Sequence, residues 1–243
     1  ISMTLSARFS GVEEELTPGD ILARAVAYPY PAPLRSFVQL GTQTHELPMQ
    51  GPDLGGRRPL LAYGANAAPA VLARKLAALP GQPLPVLRAE LGDFDIVYSA
   101  HISPYGAVPS TLQRSPGTTA PVFIAFPTPE QERLLTATEP NYELRRLTGL
   151  AIRVDLERPL DSIDAFLSRH GCLSLDGSEV ALAAVEASNR RFRSLGEVEV
   201  LERVRHVLAP ELDLERFVAT SLEPGLAAAR TTVLRGGGRP LAL

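Results

Sequence analysis

The chain has 243 residues, 45% of them hydrophobic, enough for one large domain or two small ones with a sizeable core. Its net charge of −3 leaves no basic excess, which argues against a dedicated nucleic-acid binder. One cysteine, Cys172, excludes an internal disulfide and a cysteine-rich zinc site and fits the reducing cytoplasm, the expected location. No apolar run approaches the roughly 18–20 residues of a membrane span. The opening ISMTLSARFS lacks a basic region followed by a long apolar stretch, so no signal peptide is expected.

Residues 1–56 are rich in proline and glycine and read as an extension wrapped on the main body. One helix stands out there, with Thr17 as N-cap, Pro18 at the first helical position, and Ile21, Leu22, Ala25 and Val26 on one face. The prolines of AYPYPAPLRSF keep the next segment extended. His45-Glu46 begins like a zinc-protease helix, but Pro48 breaks it and no second histidine follows at the right spacing. GPDLGG, ending at Gly56, reads as a linker.

The core is expected over residues 57–188. It is anchored by PLLAYGANAAPAVLARKLAAL, from Pro59 to Leu79. Pro59 to Ala62 reads as a strand, Tyr63 to Asn66 as a turn, and Ala68 to Leu79 as a helix that buries Leu72, Leu76 and Leu79. A strand turning sharply into a helix directs backbone N–H groups at one spot, a pocket for a carboxylate or phosphate. Strands are predicted over Leu84–Leu91 and Phe94–Ile102, with a turn at Gly92-Asp93. Ser110–Arg114 is extended, Ser115-Pro116-Gly117 turns the chain, and Pro121–Phe126 is a central strand. A helix follows, with Thr128 as N-cap, Gln131 completing a capping box, and Leu134 and Leu135 inward. Pro140 stops it, leaving Glu139 at its end.

Tyr142–Leu147 and Leu150–Leu156 read as strands about a turn at Thr148-Gly149. Ile163–Leu175 and Val180–Glu186 form a hairpin at Asp176-Gly177. Arg190, Arg191 and Arg193 read as a solvated loop, with the grip of a carboxylate as the alternative. Residues 189–243 form a C-terminal helical region packed on the core. Its helices are Leu195–Leu208 and Leu212–Leu222, and its tail is flexible around Gly236 to Gly238. Many strands joined by short turns, with few helices, predict an α+β fold. Its sheet is mixed and mostly antiparallel, curling into a β-barrel flanked by helices.

Three pieces, in order, resemble the gamma-glutamylcyclotransferase-like family over roughly residues 59–156. The family usually carries Tyr-Gly-Ser-Asn in the turn after the first core strand, and this chain has Tyr63-Gly64-Ala65-Asn66. Ser110 to Gly117 matches a segment of the kind small-Thr-apolar-x-x-x-Pro-Gly. PVFIAF, the helix PEQERLLTAT, Glu139 and Tyr142 match a strand, a helix and an acidic residue shortly before a tyrosine. The resemblance implies the same helix-flanked barrel and an intramolecular acyl transfer. The α-amine of a small γ-glutamyl compound attacks its own γ-carbonyl and releases 5-oxoproline and an amine.

That reaction calls for proximity, a base and N–H donors, and no cofactor or metal. The resemblance makes Glu139 the catalytic base and Tyr63, Gly64, Ala65, Asn66 and Tyr142 substrate-binding. Asn66 either caps the helix or bonds the ligand. The end of a helix disfavours a charged carboxylate, the direction a base near neutral pH needs. No nucleic-acid or membrane partner is expected. The alternative is a non-catalytic small-molecule-binding or interaction module on the same barrel.

Overall fold

The computed structural model describes residues 5–9, 12–154 and 160–243. Strands β1 (Leu5–Phe9) and β2 (Val12–Leu16) pair antiparallel, apart from the main sheet. Helix α1 (Pro18–Val26) starts at the expected Thr17, whose side chain caps Asp20 N–H. A hairpin follows, β3 (Phe37–Leu40) and β4 (Gln43–His45), and β3 hydrogen-bonds to the core strand β6 (Leu84–Tyr98). The N-terminal segment thus supplies a strand to the main sheet as well as a helix.

The remaining strands are β5 (Leu60–Ala62), β7 (Ser110–Ala125), β8 (Tyr142–Thr148), β9 (Ile152–Val154), β10 (Ser162–Ser168), β11 (Ser174–Leu175), β12 (Ser178–Leu182) and β13 (Arg193–Leu195). With β3, β4 and β6 they make an 11-stranded mixed sheet, in order β11-β12-β6-β7-β5-β10-β8, with β13 on β12 and with β3 and β9 on β6. Most pairs are antiparallel, while β5 with β10 and β12 with β13 are parallel. No pairing among the described residues joins β11 to β8, so the pairings do not close a barrel.

Where two strands and a turn were expected, β6 is continuous. Asp93, with φ 63°, forms a bulge opposite residues 115–118 of β7, and its carboxylate accepts from Gly117 N–H at 2.8 Å. The expected turn at Ser115 to Gly117 is therefore the other side of the same irregularity. β8 and β9 do not pair with each other; they join β10 and β6. Asp155 and Leu156, the expected end of β9, lie outside the described residues, as does part of the opening ISMTLSARFS. The long strand expected from Ile163 divides into β10 and β11, and the hairpin at Asp176-Gly177 forms as expected, with both residues at positive φ.

Six helices are present among the described residues. After α1 come α2 (Pro69–Lys75), α3 (Pro129–Ala137), α4 (Glu197–Leu208), α5 (Leu214–Thr220) and α6 (Pro224–Gly237). Along β5, Leu61 enters one core while Leu60 and Ala62 enter another, the period-two alternation of a strand buried on both faces. The larger core takes Ile21 of α1, Leu201 of α4, Phe217 of α5 and Leu234 of α6. The smaller takes Leu72 of α2, the following Leu76, and Leu135 of α3.

Two helical readings need correction. α2 ends at Lys75, so Leu79 lies beyond it and is only half-buried. The C-terminal glycines are not a loose tail, because α6 runs to Gly237 and Arg239 then pairs with Cys172. Arg190 grips the buried Asp95 carboxylate at 2.9 Å, so the carboxylate-binding alternative holds for it, with an internal partner. No described helix is long and apolar enough to cross a membrane.

Candidate functional site

β5 delivers Tyr63 to a sharp turn at Gly64, and a single 3-10 turn, Ala65–Ala67, leads through Ala68 to Pro69 of α2. Close approach favours glycine at 64. A Cβ there would stand 2.6 Å from both Tyr28 Oη and Ser110 Oγ. The carbonyls of Gly64 and Ala65 accept from Ala67 and Ala68, whereas the N–H groups of Gly64, Ala65 and Asn66 have no acceptor among the described residues. These residues line a cavity of about 310 Å³, within the size range of small-molecule sites.

Glu139 lines the same cavity from the loop between α3 and β8. Two backbone bonds hold that loop: Glu139 N–H donates to Thr136 at 3.1 Å, and Tyr142 N–H donates to the Glu139 carbonyl at 3.1 Å. α3 is itself held by the expected capping box of Thr128 and Gln131. Glu139 Oε1 accepts from Asn66 Nδ2 at 3.0 Å and from the Lys75 ammonium, which also donates to Asn66 Oδ1 at 2.9 Å. Asn66 therefore serves neither as cap of α2, whose N-cap is Ala68 without a side-chain bond, nor as a free ligand group. It ties the turn at Gly64–Asn66 to the Glu139 carboxylate.

Lys75 was not singled out from the sequence. With 12% of its side chain exposed against 14% for Glu139, the pair is largely shielded from water. Its positive charge opposes the negative field at the end of α3. The signal for it was present: Val71 and Lys75 are spaced i, i+4 and both line the cavity, one position round from the buried Leu72 and Leu76.

Tyr63 and Tyr142 also line the cavity, and both phenols are tied to the sheet: Tyr63 donates to the Phe166 carbonyl and Tyr142 donates to the Ser110 carbonyl at 2.8 Å. Tyr28 accepts from Ser110 N–H at 2.8 Å, and its hydroxyl lies 2.7 Å from Ser110 Oγ. Tyr28, Tyr30 and Tyr105 form an aromatic wall with ring centroids 6.1–6.4 Å apart. Burial pushes the Tyr28, Tyr63, Tyr105 and Tyr142 phenols up, so all four stay neutral. Tyr28 and Tyr30 come from the N-terminal segment, and Tyr105 and His101 from the loop between β6 and β7.

The cavity wall therefore combines the Glu139 carboxylate, the cations Lys75 and Arg74 and unpaired N–H donors with the aromatic rings of Tyr28, Tyr30, Tyr105 and Tyr142. Such a site can hold a charged headgroup and bury an attached group. Among the described residues no group of three or more His, Cys, Asp or Glu side chains is placed to hold a metal ion. No protein-family model matches the chain, and neither a curated protein nor a solved structure matches it.

Proposed function

We propose that this cavity is the active site of a cofactor-free γ-glutamyl cyclotransferase, built on a sheet that serves as the barrel-like scaffold of that family. One observation carries the reading. The Glu139 carboxylate and the unpaired N–H groups of Gly64 to Asn66 line one cavity and are linked through the Asn66 side chain. The N–H groups take the α-carboxylate of the substrate. Glu139 takes the α-ammonium, and the Lys75 ammonium on its Oε1 marks the seat such a cation would occupy or share.

Held this way, the substrate is folded so that its amine approaches its own γ-carbonyl, which supplies much of the acceleration. Glu139 accepts one proton from the ammonium, and the freed amine forms a C–N bond to the γ-carbon. The bond from that carbon to the leaving nitrogen then breaks. The ring nitrogen loses its second surplus proton as it becomes the lactam. Both protons end on the leaving group, which departs as an ammonium. Tyr28, Tyr30 and Tyr105 give the leaving group an aromatic surface.

The ion pair with Lys75 favours a second reading, a non-catalytic module that binds an amino-acid-like ligand, because the carboxylate already has a partner. Incubating the protein with γ-glutamyl dipeptides and γ-glutamyl amines and assaying 5-oxoproline separates the two. The enzyme releases 5-oxoproline from at least one of them. The binding module gives saturable calorimetric binding without release.

A further inference from the structure

His101 belongs to the cavity wall but takes no part in the Glu139 constellation. Its residue is 1% exposed and its ring is held on three sides. Tyr142 packs edge-on at 5.5 Å between centroids, His170 lies tilted at 4.8 Å, and Ser99 Oγ sits 2.7 Å from Nδ1. The other ring nitrogen, Nε2, has no hydrogen-bond partner among the described residues.

The neighbouring hydroxyls form a chain that reaches Nδ1. His170 N–H donates to Ser168 Oγ at 3.0 Å. Ser168 Oγ lies 2.6 Å from Ser99 Oγ, and either hydroxyl can donate to the other. Ser99 donates to the Gly171 carbonyl at 3.3 Å and lies 2.7 Å from His101 Nδ1, which accepts in one tautomer and donates in the other. In the arrangement where Ser168 donates to Ser99 and Ser99 to Nδ1, both hydroxyl hydrogens have an acceptor and a neutral His101 carries its proton on Nε2. Burial, with His170 as the second cause, pushes the imidazole down to about 3, so it stays neutral at physiological pH.

We propose that His101 is a further functional residue of the cavity, with Nε2–H a preset donor to the carbonyl oxygen of the bound acyl group and Ser99 as its positioning residue. The inference rests on the cyclotransferase reading, in which that oxygen is the γ-carbonyl oxygen that gains negative charge as the ring closes. A neutral imidazole suits this position. It donates a hydrogen bond without placing a second positive charge beside the substrate ammonium. No proton leaves His101 in the step.

The test combines kinetics with histidine tautomer spectroscopy. His101→Phe keeps an aromatic ring and removes the donor. With γ-glutamyl-alanine as probe it should lower kcat by about 10²–10³-fold and leave KM nearly unchanged. Long-range proton–nitrogen NMR of histidine-labelled protein, with the His101 signal identified by its loss in His101→Phe, should show the neutral Nε2–H form across about pH 5–8. Ser99→Ala should shift that signal toward the Nδ1–H form. An Nδ1–H tautomer or an imidazolium in the wild type overturns the proposal, as does a wild-type kcat in a folded His101→Phe variant. If the wild type releases no 5-oxoproline, the cyclotransferase reading fails by itself. His101 is then judged by titrating γ-glutamyl-alanine: a saturable shift of its Nε2 signal supports the donor role, and an unmoved signal overturns it.

Discussion

At the scale of single residues, the site depends on contacts that leave little room for change. Gly64→Ala would set a methyl group against the hydroxyls of Tyr28 and Ser110 at 2.6 Å, both anchored by hydrogen bonds. Overpacking of this kind costs about 1–3 kcal/mol, visible as a lower denaturant midpoint. Tyr28→Phe in the same chain removes one of the two clashing oxygens and should recover part of the loss. Lys75 and Glu139 form a pair that is 12% and 14% exposed. Lys75→Met should destabilise on the order of 2–3 kcal/mol, somewhat below the cost of breaking a fully buried pair. Adding Glu139→Gln removes the stranded charge, so the double variant should be more stable than the sum of the two single losses predicts. Additive losses would show that the pair contributes nothing.

At the scale of elements, α3 acts as a strut that carries Glu139 to the cavity. Thr128 and Gln131 satisfy its first N–H groups reciprocally. Thr128→Ala should cost about 1 kcal/mol in a denaturation curve, since a cap is lost and nothing replaces it. This element was fully legible in the sequence, as were α1 and the passage from β5 to α2, because caps, prolines and apolar spacing are local signals. Signals from distant chain were not legible. Gly92-Asp93 and Ser115 to Gly117 both have turn chemistry, but β6 and β7 pair across them and convert both into one bulge. Gly236 and Gly237 read as a flexible tail, yet α6 extends through them and the residues after it dock on Cys172 and Gln113. In the cavity, Glu139 and Tyr63 to Asn66 could be named in advance from their motifs. Tyr28 and Lys75 could not, because their places in the cavity depend on through-space neighbours far away in the chain.

At the scale of the whole molecule, two buried titratable groups give stability opposite slopes with pH. Burial pushes His101 down from 6.5 to about 3. The unfolded chain therefore binds more protons than the folded one between those values, and the stability present above 6.5 is lost as pH falls toward 3. Glu197, 5% exposed and accepting only from Val108 N–H, is pushed by burial well above 4.5. There the folded chain binds more protons, so stability present below 4.5 is lost as pH rises toward the folded value. Glu197→Gln should flatten the alkaline fall in thermal midpoint and leave the acid fall intact. An unchanged alkaline slope would mean that Glu197 is not the group responsible.

The fold brings a turn, a helix end and an N-terminal aromatic segment to one cavity. The claim that this cavity performs chemistry stands on Glu139. The most direct measurement is the rate of 5-oxoproline release from γ-glutamyl substrates by the wild type and by Glu139→Gln, with circular dichroism to establish that both are folded. Release by the wild type and a kcat about 10²–10⁴-fold lower in the variant, with calorimetric binding of the substrate retained, is the predicted result. Equal rates in the two proteins, or binding by the wild type with no release from any γ-glutamyl compound, would contradict it.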